Sequence, residues 1–478
     1  MTLGSAHSTC RPNLAQRRLP PVDGAPPRIR FRTERKQRLT TTVIPLLAEL
    51  FSVEATFALF LFAGRFKKLP ELRGFPVDFT LFFFVVTFCA IAWAIVSGRV
   101  KPVPLNLSVL VMLLFSELAA ASLFWSSLDA LNIDKALRFL LFTSTSFFVA
   151  YMLAEDPARR ARLLRLIAWV SCALLLYDAY HRYVLGGAVV AGDDLDPGRY
   201  GARTYNYLEY GAHATILFII FLCLAAFGSL KQLCIALVGS SAMLYYLLIM
   251  GGRGPFAAAL LAIPLLALGL LQRPAASLRR LLRLIALFSG LIIVAVVGFL
   301  AFIDGSGASL EKEFRTLGRY ESEETLSMDE RQEGRQLALD MWLRKPMLGW
   351  GIGEFRVKDS YLEYPHNMLL EILAEMGIVG GFLFVVLCTV AVRDCLAMAR
   401  DRTSVWTDAA ITLLFLTELA QHLTVQGYLA DDRAFFTYMG LVIGARAAAG
   451  RRPSTARFSA LEPRARLVEE RLIREDTV

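Results

Sequence analysis

The stretch Tyr364–Val392, YPHNMLLEILAEMGIVGGFLFVVLCTVAV, joins a polar head carrying one histidine and two glutamates to an apolar run. From 370 to 392 that run is long enough to cross a hydrocarbon layer of about 30 Å as a helix. Eleven further runs follow the same pattern, at approximately 42–63, 77–97, 105–125, 137–154, 164–185, 208–228, 232–250, 254–272, 282–303, 405–424 and 433–447. The chain has 478 residues, 56% of them hydrophobic, and a mean hydropathy of +0.50. An ordinary soluble domain has roughly 45–50% apolar residues. The reading is an all-α integral membrane protein of about twelve transmembrane helices, with a long, partly helical loop between the ninth and tenth.

The formal charge of +9 is informative through its placement. With a cytoplasmic N-terminus, an alternating path puts SGRVKP, DPARRARLLR, QRPAASLRRLLR, RDCLAMARDR and the C-terminal tail on the inner side, the side that retains basic residues. The exception is GRFKKLPELRG, Gly64–Gly74, which the same path places outside. The charge therefore implies membrane lipids as neighbours, and no nucleic acid. Five segments result: a disordered basic tail (1–41), spans one to nine (42–303), the external loop (304–369), spans ten to twelve (370–447) and a second basic tail (448–478). The first forty residues read as neither a cleaved signal peptide nor a folded domain. None of the seven cysteines falls on the oxidising side, and no His, Cys, Asp or Glu spacing suggests a metal. The site is expected to hold no metal and no cofactor.

In the long loop, SMDERQEGRQLALDMWLRKP has helical spacing, with Ser327 a candidate N-cap and Glu330 three residues on. GWGIGEF then reads as a glycine-rich turn, not a nucleotide fingerprint, because no strand of a βαβ unit precedes it. HNMLLEILAEMG reads as a short amphipathic helix that Gly377 breaks before the next span.

His181, His213 and His422 fall within or at the edges of spans, where a packed polar group bonded to a neighbouring helix is the ordinary case. His366 lies instead in the loop at the membrane surface. An imidazole with a pKa of about 6.5 can take a proton there at neutral pH. Its residues also suit the capping of the helix that follows. Arg253, in MGGRGPF, sits on a short external hairpin where a guanidinium is costly without an anion. Arg199 and Arg203, in GRYGARTYNYLEYG, lie on the same side. They suit a lipid diphosphate, through paired hydrogen bonds, or the neighbouring Asp193, Asp194 and Asp196. Glu49, Glu54, Glu117, Asp178, Glu209 and Glu418, in or near spans, favour a second class of function, a polytopic transporter. However, the chain lacks the internal symmetry that many transporters show.

GARTYNYLEYG, GGRGP, DERQEGRQLALDMWLRKPMLGWGIGEF and PHNMLLEILAEMGIVGG, in that order, resemble the bacterial O-antigen ligase and polysaccharide polymerase superfamily. The likeness covers roughly the second half; the first five spans match only as generic membrane helices. The resemblance implies a polytopic glycosyltransferase of the bacterial inner membrane, with both termini cytoplasmic and its active site periplasmic. It implies metal-independent, inverting transfer of a glycan from undecaprenyl diphosphate, in lipopolysaccharide biosynthesis. The acceptor is a hydroxyl of the lipid A core in a ligase, or another carrier-linked glycan in a polymerase. By motif, His366 is the implied base and Arg253 its catalytic partner. Arg253 and Arg203, with Arg199, hold the donor diphosphate, and Arg331 is similar to the family's loop arginine. Gly-Gly precedes Arg253 where family members commonly carry a small residue and Ser. Glu371 and Glu375, five and nine residues past His366, fall off its helical face and are expected to be helix and interface residues.

Overall fold

The computed structural model of the chain describes residues 52–67, 69–72, 75–184, 207–250, 252–272, 278–290, 325–359, 362–401, 405–424 and 427–451. These fall in the unit Phe51–Val478; the other unit, Met1–Leu50, lies outside the described residues. The elements are α1 (Val53–Phe66), α2 (Phe79–Val96), α3 (Leu107–Ala121), α4 (Ala130–Ala154), α5 (Pro157–Tyr183), α6 (Tyr207–Phe227) and α7 (Leu230–Met250). There follow α8 (Arg253–Leu271), α9 (278–290), α10 (Thr325–Arg344), the single turn α11 (Glu354–Lys358), α12 (Met368–Arg400), α13 (Trp406–Thr424) and α14 (Arg433–Arg451).

Short polar side chains start the helices where the backbone has orphan donors. The oxygens of Asp78, Asn106, Asp129 and Asp156 accept from the N–H groups of Thr80 (2.8 Å), Val109 (3.0 Å), Leu131 (3.0 Å) and Ala158 (2.9 Å). Among the described residues, eight helices are long and apolar enough to cross a membrane: α2 to α8 and α12. The other four expected spans fall on α1, α9, α13 and α14. Of these, α1 has 14 described residues, and α13 carries Asp408, Glu418 and His422. Within the apolar window of α6, 72% of residues are buried, against 22% for α2. Hence α6 is central and α2 lies at the rim with its Phe-rich surface outward.

Cross-helix contacts sort the helix ends into two groups. At one end, Glu54 at the start of α1 meets Arg159 of α5 (3.0 Å), Arg160 meets Asp408 of α13 (3.3 Å), and Arg451 of α14 meets Glu155 (2.9 Å). At the other, Arg65 at the end of α1 pairs with Glu209 at the start of α6, and His422 near the end of α13 lies 2.9 Å from Asp432 before α14. The basic exception GRFKKLPELRG belongs to this second end, and its described cations, Arg65 and Lys67, are both paired. Lys67 pairs with Asp78, while Glu71 accepts from Tyr177 (2.5 Å) and lies 3.3 Å from His181. Lys68 and Arg73 lie outside the described residues.

The break at Gly377 occurs as the sequence indicates, and its partner is the glycine-rich turn. Gly377 has φ 64° and ψ −164°, a region essentially restricted to glycine, and divides α12 into two rods. Breaking a helix orphans carbonyls before the break and amides after it. Trp350 and Gly351 donate to the carbonyls of Ala374 (3.0 Å) and Glu375 (2.8 Å), while Ile378 and Val379 donate to Pro346 (2.8 Å) and Met347 (3.4 Å). The approach is so close that a Cβ on Gly377 would stand 2.3 Å from the carbonyl oxygen of Met347.

Two local expectations change. Helix α10 already runs from Thr325, so Ser327 lies inside its first turn and is no N-cap. Glu371 and Glu375 are not interface residues: both are 0% exposed. Lys135 of α4, more than two hundred residues earlier in the chain, meets them at 2.5 and 2.7 Å. The sequence reading, confined to α12, lacked this buried counter-charge.

Candidate active site at one end of the bundle

The second end of the bundle gathers the head of α12, the ends of α1 and α13, the starts of α4, α6, α8 and α14, and helix α10. The head of α12 is capped by Asn367, whose Oδ1 accepts from Leu370 N–H (3.0 Å). Capping therefore falls to Asn367, not to His366. His366 precedes the cap with φ 54°, the left-handed region that few non-glycine residues enter. That turn sets its imidazole against the ring of Tyr364, with centroids 4.5 Å apart. Tyr364 in turn packs on Tyr428, from the 427–432 turn, at 5.5 Å.

Three neighbours fix this loop. Gly334 of α10 faces it so closely that a Cβ there would meet Leu362 at 2.6 Å and Pro365 at 3.7 Å. Asn367 donates to the carbonyl of Leu423 (2.6 Å), and Arg335 of α10 donates to that of Thr424. The exposed C-terminal carbonyls of α13 are thereby satisfied by the two segments that flank His366. Arg331, one turn before Arg335, is half-buried and acts electrostatically on Tyr364. Burial, reinforced by Asp432 and Glu371 and opposed by Arg331, pushes the Tyr364 phenol well above its ordinary range. Burial also pushes Tyr428 up to about 12, against the pull of Lys135. Both tyrosines are thus neutral donors at physiological pH, and the imidazole is the group of the stack suited to take a proton.

Arg253 is the first residue of α8, half-buried. A cation at a helix start adds to the positive end of the helix dipole, and the sum favours an anion. Its helix is held beside α6, where Thr215 donates to the carbonyl of Pro255 (2.9 Å). The other end of α8, Leu265–Leu270, faces Asp408–Leu413 at the start of α13. The two helices are therefore antiparallel, and Arg253 stands at the end where α13 finishes and where His366 precedes the cap of α12. Arg199 and Arg203 lie outside the described residues.

Sequence reasoning treated the early spans as generic helices and missed the wall they build. Asn132 and Ser127 donate to Glu354 Oε1 at 2.9 and 2.6 Å, Ser122 Oγ accepts from Ile352 N–H (3.0 Å), and Trp125 donates to Leu348 O (3.2 Å). These contacts dock the glycine-rich turn on the α3–α4 junction. A π-helical stretch of α4, Arg138–Ser144, then aims two side chains at the 427–432 turn. Arg138 lies 3.4 Å from Asp431, and Thr143 donates to the carbonyl of Ala430. The sequence carried little signal for this wall: Lys135 stands just ahead of the apolar run 137–154, between Asp134 and Arg138, where a solvated lysine is ordinary. The other described histidines are accounted for by packing partners. His213 bonds Ser171 of α5 (3.1 Å), His181 packs on Tyr177 (4.3 Å), and His422 sits between Glu418 and Asp432.

Residues 238–385 match the family model of O-Antigen ligase. Arg253, Arg331 and His366 all fall in that segment. The match supports the O-antigen ligase and polymerase superfamily, whose members are glycosyltransferase-like enzymes of lipopolysaccharide and polysaccharide biosynthesis. No curated protein matches the chain. The O-antigen ligase segment runs from α7 to the middle of α12, so Lys135, Tyr428 and Asp432 lie outside it.

Proposed function

We propose that the chain is an O-antigen ligase of the bacterial inner membrane, transferring a glycan from undecaprenyl diphosphate to a hydroxyl of the lipid A core at the periplasmic face. The observation that carries this reading is the arrival of Arg253 and His366, both inside the family segment, at one end of the bundle. In this reaction the acceptor oxygen attacks the anomeric carbon, and its proton passes to His366. The bond to the diphosphate breaks from the opposite face, inverting the centre, and undecaprenyl diphosphate departs. A diphosphate is a good leaving group, so positive charge at its oxygens and one base suffice. Arg253 and Arg331, with Arg199 and Arg203, supply that charge. No metal or cofactor takes part in this scheme.

Of the acids that favoured a transporter, Glu54 is paired with Arg159, Asp178 with Tyr246, Glu209 with Arg65 and Glu418 with His422, while Glu117 is exposed on α3 and Glu49 lies outside the described residues. Such pairing supports a scaffold over an ion path. The family match is equally compatible with a repeat-unit polymerase, and a deletion strain separates the two. Ligation requires lipopolysaccharide devoid of O-antigen while carrier-linked long glycan accumulates. A core bearing a single repeat unit would assign the chain to O-antigen polymerisation, and normal lipopolysaccharide with lost exopolysaccharide would assign it to exopolysaccharide polymerisation.

A further inference from the structure

Lys135 is a buried cation, 1% exposed, on a helix outside the family segment. Its ammonium reaches Glu371 and Glu375 on the first rod of α12, which His366 precedes by two residues. The same ammonium lies 5.2 Å from the ring centre of Tyr428, within cation–π range. Tyr428 packs on Tyr364, and Tyr364 on His366. The second oxygen of Glu371 accepts from Leu429 N–H (3.2 Å), next to Tyr428. These contacts form a closed circuit: Lys135, Glu371 and Glu375, the head of α12, His366, Tyr364, Tyr428 and back to Lys135. Both routes from Lys135 end at the imidazole, one through the helix backbone and one through the aromatic rings.

We infer that Lys135 is a positioning residue for His366, locking the ring stack and the head of α12 so that the imidazole stays aimed at the acceptor hydroxyl. The inference rests on the reading of His366 as the base. Lys135 touches no substrate in this scheme; it acts through Glu371, Glu375 and Tyr428. A site that must hold a base within a fraction of an ångström gains from supports that are packed and fully paired.

The test uses the full-length protein in lipid nanodiscs, with a polyprenyl-diphosphate-linked glycan as donor and lipid A core as acceptor. Lys135→Met alone would leave two carboxylates buried without their cation, so the informative variant is Lys135→Met/Glu371→Gln/Glu375→Gln, neutral and of similar volume. The expected result is a kcat lower by about 10- to 100-fold with the donor KM within about twofold, because aim is lost while donor binding is kept. Lys135→Arg should keep more activity than the neutral variant. Tyr428→Leu cuts the aromatic route and leaves the triad intact, so it decides the matter should the triple variant not fold; the same kcat loss is expected. Unchanged kcat in the folded variants, or a loss matching the unfolded fraction, would overturn the positioning role. His366→Ala, run alongside, separates the layers: if it is active, the base reading and this inference both fail. If it is inactive while the triad and Tyr428 variants keep wild-type kcat, only the inference fails.

Discussion

The two ends of the bundle use the same charged residue types in different ways. At the end holding Arg159, Arg160 and Arg451, arginines reach from one helix end to an acid on another, as Arg159–Glu54, Arg160–Asp408 and Arg451–Glu155, with Arg159 also 4.0 Å from Asp156 on its own helix cap. Arg160, Asp408 and Glu155 border a cavity of about 210 Å³ that Asp401 and Arg446 also line, and each of the three pairs ties two helix ends together. At the end holding His366, charges are shared among several elements. Lys135 serves two carboxylates and a ring, and Asp432 serves His422 and the N–H of Tyr428 (2.9 Å). Pairs between helix ends fasten a scaffold. Branched buried networks fix directions, at the cost of strong destabilisation when one member is lost, about 3–5 kcal/mol for a buried pair.

That contrast can be broken in graded ways. Arg253→Ala should lower transfer by about 10²- to 10³-fold, the effect of removing a donor aimed at developing negative charge. Arg253→Lys should recover only part of it, because an ammonium lacks the two-pronged geometry. Initial rates on lipid-linked donor, with membrane abundance measured beside them, check both. Gly377→Ala should destabilise the chain by about 1–3 kcal/mol, since alanine there meets Met347 O and must adopt a glycine-only backbone conformation. Thermal unfolding in detergent reads this, and release of the glycine-rich turn should appear as faster amide exchange over 346–354.

A smaller effect is expected of acid at Glu354. Burial opposes its ionisation, but bonds from Ser127 and Asn132 and the charge of Lys358 outweigh that and hold its carboxyl below the usual range. The stabilisation is therefore complete above about pH 4.3, the ordinary glutamate value, and is lost as pH falls through the lower folded value. Amide exchange of the turn compared at pH 6 and pH 3 should show this, and Glu354→Gln should remove the dependence. Least of all should come from Arg451→Ala at the scaffold end, a half-exposed pair. About 0–1 kcal/mol of stability and no change in transfer rate are expected there. A large catalytic loss in that variant would erase the distinction between the ends.

What could be read in the sequence follows from how far each signal reaches along the chain. Apolar runs, the break at Gly377 and the turn nature of GWGIGEF are local: eight of the twelve runs are helices long and apolar enough to cross a membrane among the described residues, and the break and the turn hold. That the turn fills the break is not local: Gly349 lies against the backbone of Glu375 and Gly377 against that of Met347, across 26 and 30 positions, and no periodicity joins them. The assignment of Glu371 and Glu375 failed for the same reason, because helical spacing measures the angle between two residues but says nothing of Lys135. His366 and Arg253 stood out because both are polar groups at membrane boundaries. Tyr364 and Tyr428 did not, since aromatic residues are ordinary there.

The central claim is that His366 accepts the acceptor's proton while Arg253 holds the donor's charge, so the two variants must fail differently. The most direct measurement is single-turnover transfer by purified wild-type and His366→Ala protein, with donor binding determined on the same samples. The account expects donor binding near the wild-type level and transfer reduced by at least about 10²-fold, the contribution of a positioned base. Wild-type transfer by His366→Ala would contradict it.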